Sequence, residues 1–182
     1  MVSDFRTKKY LHVFNTFIDV NKNGTIDKND FLVTMRNVAK KRGYNPGDII
    51  YKFMEDMLDL VWDGLIKAAD ADSDGTINKD EWIKLWDEYS KKAEKADEWY
   101  QLYAKCIFQL IDAGSDGSID DQEFADFFEN FGISKDKSLE SFKKAAGGKN
   151  KVNWEEYFTL FKEYFTSDDV NAPGSCVFGQ IN

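Results

Sequence analysis

Oxygen-bearing side chains recur at every second position in the stretch DADSDGTINKDE, residues 70–81. A glycine follows the third of these side chains, and a glutamate closes the stretch. Carboxylates this close together repel one another unless a cation lies between them. Alternating oxygen ligands, a glycine for a sharp turn and a final glutamate are typical of the helix–loop–helix calcium loop, in which about seven oxygens surround the ion. We therefore predict that this stretch binds calcium.

The same pattern occurs again in two stretches and survives in part in a third. Residues 19–30 read DVNKNGTIDKND, and residues 112–123 read DAGSDGSIDDQE. Residues 145–156, AAGGKNKVNWEE, keep an apolar residue at position 8 and a glutamate at position 12, but positions 1, 3 and 5 carry no acid. The spacing between loops leaves room for two helices, which indicates an array of one repeated unit.

The first three loops supply candidate calcium ligands at positions 1, 3, 5, 7, 9 and 12, with a backbone carbonyl at position 7 and a direct or water-mediated contact at position 9. In loop one they are Asp19, Asn21, Asn23, Thr25, Asp27 and Asp30. In loop two they are Asp70, Asp72, Asp74, Thr76, Asn78 and Glu81. In loop three they are Asp112, Asp116, Ser118, Asp120 and Glu123, with a water in place of a side chain at Gly114. Zinc and copper would favour His or Cys, of which the chain has few.

The loops are expected to differ in affinity. Loop two is complete and should bind best. Loop one ends in Asp30, whose side chain is shorter than glutamate, so we expect it to accept Mg²⁺ more readily alongside Ca²⁺. In loop four Lys149 and Lys151 bring positive charge into the binding region, so this loop should stay empty. Its expected role is structural, because paired loops of this kind meet at position 8, with Ile26 facing Ile77 and Ile119 facing Val152.

Charge and hydropathy limit the other partners. The net charge of −9 argues against nucleic acid or an anionic membrane and favours cations. Adding the six positive charges of three calcium ions would leave −3, so the ion-free protein should be less stable. No apolar run approaches a membrane span, and the first residues resemble no secretion signal. We expect a cytoplasmic monomer with reduced cysteines, and Cys106 in the core.

Apolar residues flank each loop at helical spacing, so we predict an all-α fold built of two helix–loop–helix pairs packed into one globular unit. The expected divisions are an N-terminal pair at residues 1–92, a C-terminal pair at residues 97–166 and a tail at residues 167–182. The aromatic stripe after loop four, including Trp154, Phe158 and Phe161, is expected to belong to the core.

The four loops, the aspartate that closes loop one and the degenerate fourth loop resemble the EF-hand pattern of the invertebrate sarcoplasmic calcium-binding proteins and the related calexcitins. The segments VFNTFIDVNKNGTI, LVWDGLIKAADADSDGTINKDEWIKLW and SCVFGQIN carry this resemblance. It implies two EF-hand pairs packed face to face, with a C-terminal tail over the interface and Phe178 between the halves. It also implies a role in calcium and magnesium buffering, with neuronal signalling as the role of calexcitin.

Three functions remain open from the sequence. A calcium buffer is favoured, because stiff aromatic residues far outnumber the four methionines that an adaptable target groove would use. A calexcitin-like sensor with a protein target is the first alternative, and a luciferin-binding type of apolar ligand carrier is the second. An enzyme is not expected, because the chain has no catalytic motif and a single histidine, His12, which we interpret as an ordinary helix residue.

Overall fold

The computed structural model of the chain describes residues 2–92 and 98–179. The first EF-hand pair consists of α1 (Asp4–Val13), strand β1 (Thr25–Ile26), α2 (Lys28–Lys41), α3 (Ile49–Ala69), strand β2 (Ile77–Asn78) and α4 (Lys79–Ser90). The second consists of α5 (Glu98–Ile111), β3 (Ser118–Asp120), α6 (Asp121–Glu129), α7 (Lys135–Ala145), β4 (Lys151–Asn153) and α8 (Trp154–Thr166). A π-helical turn, Phe14–Ile18, continues α1 into loop one, and a 3₁₀ turn, Pro173–Cys176, lies in the tail.

The loops pair through short antiparallel ladders at position 8. Ile26 is paired with Ile77 in the first ladder, and Ile119 is paired with Val152 in the second. All four side chains are buried. The predicted EF-hand fold and its two-stranded contacts are therefore confirmed. The predicted boundary between the pairs falls at residues 93–97, outside the described residues, and the division into pairs and tail stays a prediction.

The core is one continuous aromatic cluster that reaches across both pairs. Trp86 of α4 stacks on Phe165 of α8 with ring centroids 3.6 Å apart, and Phe31 of α2 contacts Tyr103 of α5 at 6.3 Å. Such buried rings contribute strongly to the apolar area that the core removes from water. Phe161 is fully buried, and Trp154 and Phe158 pack against the cluster, so the α8 stripe belongs to the core as predicted. Cys106 is buried there as well.

Buried polar contacts join the first helix to the last. The hydroxyl of Tyr10 donates to the carbonyl oxygen of Phe165 at 2.7 Å, and the hydroxyl of Tyr164 donates to that of Lys9 at 2.9 Å. The ammonium of Lys9 is buried and donates to the carbonyl oxygen of Ser167 at 2.7 Å. Burial lowers the pKa of Lys9 to about 8. These three hydrogen bonds hold α1 against α8 and the residue that follows it, and each of the three carbonyl oxygens has a donor.

The tail closes over the core through Phe178. This side chain is 3% exposed, and its ring contacts Phe17 at 5.8 Å and Tyr164 at 4.8 Å. It therefore lies between the two pairs, as the resemblance implies. His12 adds a polar contact, because its Nε2 lies 3.0 Å from the carbonyl oxygen of Phe178 and can only donate to it. His12 thus helps to hold the tail, a role that its sequence position did not reveal.

We expect Phe178→Ala to lower the free energy of unfolding by about 3–5 kcal/mol, because a buried aromatic ring is removed and a cavity is left. Deletion of residues 171–182 should lower it as well. Urea denaturation of the calcium-loaded protein measures both effects. Val170→Ala is the control, since Val170 is 61% exposed and its loss should change stability by less than about 0.5 kcal/mol. Equal stability of Phe178→Ala and the parent would show that the tail does not hold the halves together.

Candidate metal centres

The carboxylate at position 12 has the same local partner in all four loops. One of its oxygens accepts a hydrogen bond from the backbone N–H at position 9, which is the N-cap of the helix that follows. The distances are 3.0 Å for Asp27 to Asp30, 2.9 Å for Asn78 to Glu81, 3.0 Å for Asp120 to Glu123 and 3.0 Å for Asn153 to Glu156. This capping box orients the closing carboxylate towards the loop.

The carboxylate at position 1 organises the other end of each of the first three loops. Its two oxygens accept the backbone N–H groups of positions 5 and 6, as Asp70 does from Asp74 at 3.2 Å and Gly75 at 3.1 Å. Asp19 and Asp112 make the same pair of contacts in their loops. The glycine at position 6 has a positive φ, such as +84° at Gly75, which side chains rarely adopt. The turn that gathers the ligands therefore depends on this glycine.

Loop two brings its acids closest together. Ligand oxygens of Asp70, Asp72 and Asp74 all lie within 4.8 Å of one another. Glu81 is buried and reaches back to the start of the loop, where its Oε1 accepts the N–H of Ala71 at 2.9 Å. Hard oxygen donors around one point suit calcium, which tolerates an irregular shell. The donor set of loop two thus fits the ion that its sequence predicts.

Loop one is closed by a shorter and more deeply buried acid. Asp30 is 1% exposed, and its Oδ1 accepts the side-chain N–H of Asn21 at 3.0 Å. Burial raises the pKa of Asp30 above its usual value, and the neighbouring acids Asp27 and Asp19 add to this effect. A bound cation would oppose both the burial and the repulsion from neighbouring acids, and would lower the pKa of Asp30. In loop one Asn21 donates to the closing carboxylate of Asp30, and the N–H of Asn23 donates to Asp19, so these four predicted ligands lie close to one another.

Loop three uses its glycine at position 3 as a backbone donor. The N–H of Gly114 donates to Glu123 Oε1 at 2.7 Å, and a Cβ atom at this position would lie 3.2 Å from that oxygen. The carboxylate of Asp116 accepts a hydrogen bond from the ammonium of Lys151, which belongs to loop four. This contact holds the pKa of Asp116 below its usual range. A candidate ligand of loop three is thus already paired with a cation of the chain.

Loop four differs in both backbone and charge. Its positive φ values fall at Gly147 and Gly148, positions 3 and 4, whereas the other loops have theirs at positions 4 and 6. Lys149 at position 5 forms an ion pair of 2.5 Å with Oε1 of Glu156 at position 12. The pKa of Glu156 is held below its usual range by this contact. An ammonium group therefore pairs with the carboxylate that would close the loop around an ion.

The side chain at position 9 has a second duty that the ligand pattern did not reveal. Asn78 Oδ1 accepts the backbone N–H groups of Asp80 at 3.0 Å and Glu81 at 3.1 Å, so its only oxygen caps α4. Asp27 caps α2 through the same two positions, and Asp120 caps α6 through the N–H of Glu123 alone. A side-chain cap followed by an acid three residues later is visible in the sequence and could have shown this role. If Asn78 contacts an ion through a water molecule, its Oδ1 keeps both hydrogen bonds that cap α4.

Comparisons with known proteins agree with this geometry. The family model described as EF hand matches residues 16–33, 63–86 and 104–128, which include the first three loops. Calexcitin-1 of Caenorhabditis elegans is 29% identical over 186 aligned residues that span 100% of this chain and 89% of the relative. Sarcoplasmic calcium-binding proteins II, V, VI and VII of Branchiostoma lanceolatum are 27% identical, with 98% of both chains covered.

The fold has a close counterpart among solved structures. A sarcoplasmic calcium-binding protein from amphioxus superimposes with a TM-score of 0.81, covers 98% of each chain and is 24% identical. This chain is an EF-hand calcium-binding protein. It is related to calexcitin and to the sarcoplasmic calcium-binding proteins.

We expect Glu81→Gln to remove one calcium ion per chain, because an amide cannot supply the two charged oxygens that close the shell. The capping contact with Asn78 needs one acceptor oxygen, which glutamine keeps. Glu156→Gln is the matched control at the same position of loop four and should leave the number of bound ions unchanged. Isothermal titration calorimetry gives both numbers. An unchanged stoichiometry in Glu81→Gln would refute the ligand role of Glu81.

Proposed function

We propose that this protein binds three calcium ions through loops one to three and acts mainly as a calcium buffer. The observation that carries the buffer role is the closed aromatic core, over which Phe178 is packed with 3% exposure. A protein that opens on binding calcium would have to separate these rings and release the tail. Buffer EF-hands open little, whereas sensor EF-hands expose a groove. The calcium-binding residues are those assigned above to loops one, two and three.

In this proposal the protein is a cytoplasmic monomer with no catalytic role. The related proteins are named as calcium-binding proteins and calexcitin. In the part of the chain that the structure describes, none of the helices combines the length and apolar character needed to cross a bilayer. A calexcitin-like sensor is the alternative function, and it is tested below together with the buffer.

An apolar ligand carrier receives less support. The cavity inside the aromatic core, between Phe17, Phe31 and Tyr103, has a volume of about 60 Å³. This is well below the roughly 300–1,000 Å³ of pockets that hold drug-sized ligands. A luciferin-sized ligand in this core cavity would have to displace packed rings. A coelenterazine absorbance titration tests this second alternative.

Calcium binding should tighten the protein without exposing apolar surface. We expect the fluorescence of the dye ANS to fall or to stay constant when calcium is added in millimolar magnesium, because the rings stay buried. The Phe178→Ala variant is the positive control, since its loosened interface should admit more dye. A clear rise for the parent would contradict the buffer role and favour the sensor.

Loop one is proposed to be a mixed Ca²⁺/Mg²⁺ site. Its closing residue is an aspartate, and Mg²⁺ favours the six-oxygen shell that monodentate closure provides. We expect Asp30→Glu to weaken magnesium binding at loop one relative to calcium. Calcium titrations with and without magnesium measure the change, and Glu81→Asp in loop two is the reciprocal variant, which should gain magnesium affinity. Equal magnesium competition in Asp30→Glu and the parent would overturn the mixed site.

Loop three is proposed to bind more weakly because Lys151 pairs with its ligand Asp116. The ion must displace this ammonium and then stay close to it, and like charges a few ångströms apart repel. Both side chains are half exposed, so solvent screens part of the effect. We therefore expect Lys151→Gln to raise the calcium affinity of loop three by about two- to fivefold.

The control for Lys151→Gln is Lys135→Gln in the same EF-hand pair. Lys135 pairs with Asp126 at 2.8 Å with similar exposure, but Asp126 is not a candidate ligand. Calcium titration in a Glu81→Gln, Asp30→Asn background reports on loop three alone. The same affinity in both lysine variants would show that Lys151 does not tune the site.

A further inference from the structure

Loop one contains a dipeptide that the two other candidate calcium loops lack. Asn23 at position 5 is followed by Gly24, and Asn23 is the only asparagine in the chain that a glycine follows. Loops two and three carry an aspartate at this position, Asp74 and Asp116. The side-chain amide of an asparagine can react with the backbone nitrogen of the next residue, and a glycine leaves that nitrogen accessible because it has no Cβ. The contacts around Asn23 and Gly24 determine how far the loop favours this reaction.

The amide of Asn23 is folded back over the peptide that follows it. Its Oδ1 accepts the backbone N–H of Thr25 at 2.9 Å and the hydroxyl of Thr25 at 3.0 Å. Because Gly24 lies between these two residues in the chain, the fold brings the amide carbon of Asn23 towards the backbone nitrogen of Gly24. Two donors on one carbonyl oxygen also stabilise the negative charge that develops there when a nucleophile attacks. Thr25 therefore both positions and activates the amide.

The backbone nitrogen of Gly24 faces a carboxylate. Its N–H donates to Asp19 Oδ2 at 3.0 Å. An acceptor at the hydrogen of an attacking nitrogen is the arrangement of general base catalysis. A Cβ atom built on Gly24 would meet nothing within 4 Å, so this part of the loop is not crowded. These contacts supply the nucleophile with space and with an acceptor for its hydrogen.

The leaving nitrogen is free to depart. Asn23 is exposed, and its Nδ2 makes no hydrogen bond with any residue that the structure describes. Water therefore reaches the side chain, and ammonia formed there can diffuse away. The same exposure supplies the water that the second half of the reaction consumes.

Loop two shows the same contacts around a carboxylate instead of an amide. Asp74 Oδ1 accepts the N–H and the hydroxyl of Thr76, and the N–H of Gly75 donates to Asp70 Oδ2. An ionised carboxylate resists attack by nitrogen and has no ammonia to lose. Among the three candidate loops, the reactive arrangement is thus complete in loop one alone.

We propose that Asn23 is a site of spontaneous deamidation in the calcium-free protein. The nitrogen of Gly24 attacks the amide carbon of Asn23, a bond forms between these atoms, and the bond from that carbon to Nδ2 breaks. The hydrogen of the Gly24 N–H leaves with Nδ2 as ammonia, and a succinimide ring remains in the chain. Water then adds to one of the two ring carbonyls and opens the ring. Attack on the side-chain carbonyl gives aspartate, and attack on the backbone carbonyl gives isoaspartate.

The two products would change loop one in opposite ways. Aspartate gives position 5 the carboxylate that loops two and three already have, and a higher ligand charge strengthens calcium binding. Isoaspartate adds a methylene group to the backbone and disturbs the spacing of the ligands that follow. The modification goes beyond the buffer function, because it would make the properties of one site depend on the age of the molecule.

The test incubates the protein with a calcium chelator at physiological pH and temperature. Anion-exchange chromatography separates the product, which carries one more negative charge, and peptide mass mapping identifies the altered residue. We expect the acidic form to be altered at Asn23 and to contain isoaspartate, which an isoaspartyl methyltransferase assay detects. Asn21 in the same loop is followed by lysine and is the internal control, which should stay intact. The absence of an acidic form, or one altered at another asparagine, would overturn the proposal.

Variants separate the dipeptide from the contacts around it. Thr25→Val keeps the backbone donor and the branched shape but lacks the hydroxyl, so it should deamidate severalfold more slowly than the parent. Thr25→Ser restores the hydroxyl and should recover most of the rate, and circular dichroism verifies the fold of both. Asn23→Gln keeps an amide but lengthens the side chain by one methylene group, and it should form no acidic product. Equal rates in Thr25→Val and the parent would show that the loop contacts do not promote the reaction. The chelator makes each result independent of how many calcium ions the loops bind.

Discussion

The capping box between positions 9 and 12 is the interaction on which the rest of the structure depends. The residue that closes each loop is also the third residue of the helix that follows. The start of that helix therefore fixes where the closing carboxylate lies. Each of the first three loops crowds oxygens of like charge, and their repulsion favours an extended chain. The N–H groups that face the carboxylates at positions 1 and 12 oppose that repulsion. These hydrogen bonds thereby gather the candidate ligands of the first three loops.

Much of this arrangement could be predicted because it is local. Loop length, the glycine at position 6 and the hydrophobic residue at position 8 fix where each ladder forms, so the pairing of Ile26 with Ile77 follows from counting along the chain. The α8 stripe is predictable for the same reason, since helical spacing places its rings on one face. Contacts within one loop or one helix are near in sequence and leave few alternatives, and the pairing of two loops then follows from the position that they share.

The remaining features are contacts between residues far apart in the chain, which a single sequence does not reveal. Lys151 meets Asp116 only because the second ladder brings the two loops into register. His12 reaches the backbone of Phe178 across 166 positions of the chain. Met35, Met54 and Met57 are not conspicuous in a composition, and they line one cavity of about 340 Å³ only because α2 and α3 pack side by side. Composition therefore described the aromatic core well and this cavity poorly.

The second ladder has a further consequence for the way the protein fills with calcium. Loops one and two share a ladder, so an ion that orders one strand also orders its neighbour, and each binding event lowers the cost of the other. Loop three shares its ladder with a loop in which Lys149 already pairs with the closing carboxylate. Ordering of β3 by an ion in loop three therefore does not favour a second ion in loop four. With the three sites proposed above, the N-terminal half should load cooperatively and the C-terminal half as a single independent site, so that one molecule responds to calcium with two curves of different steepness.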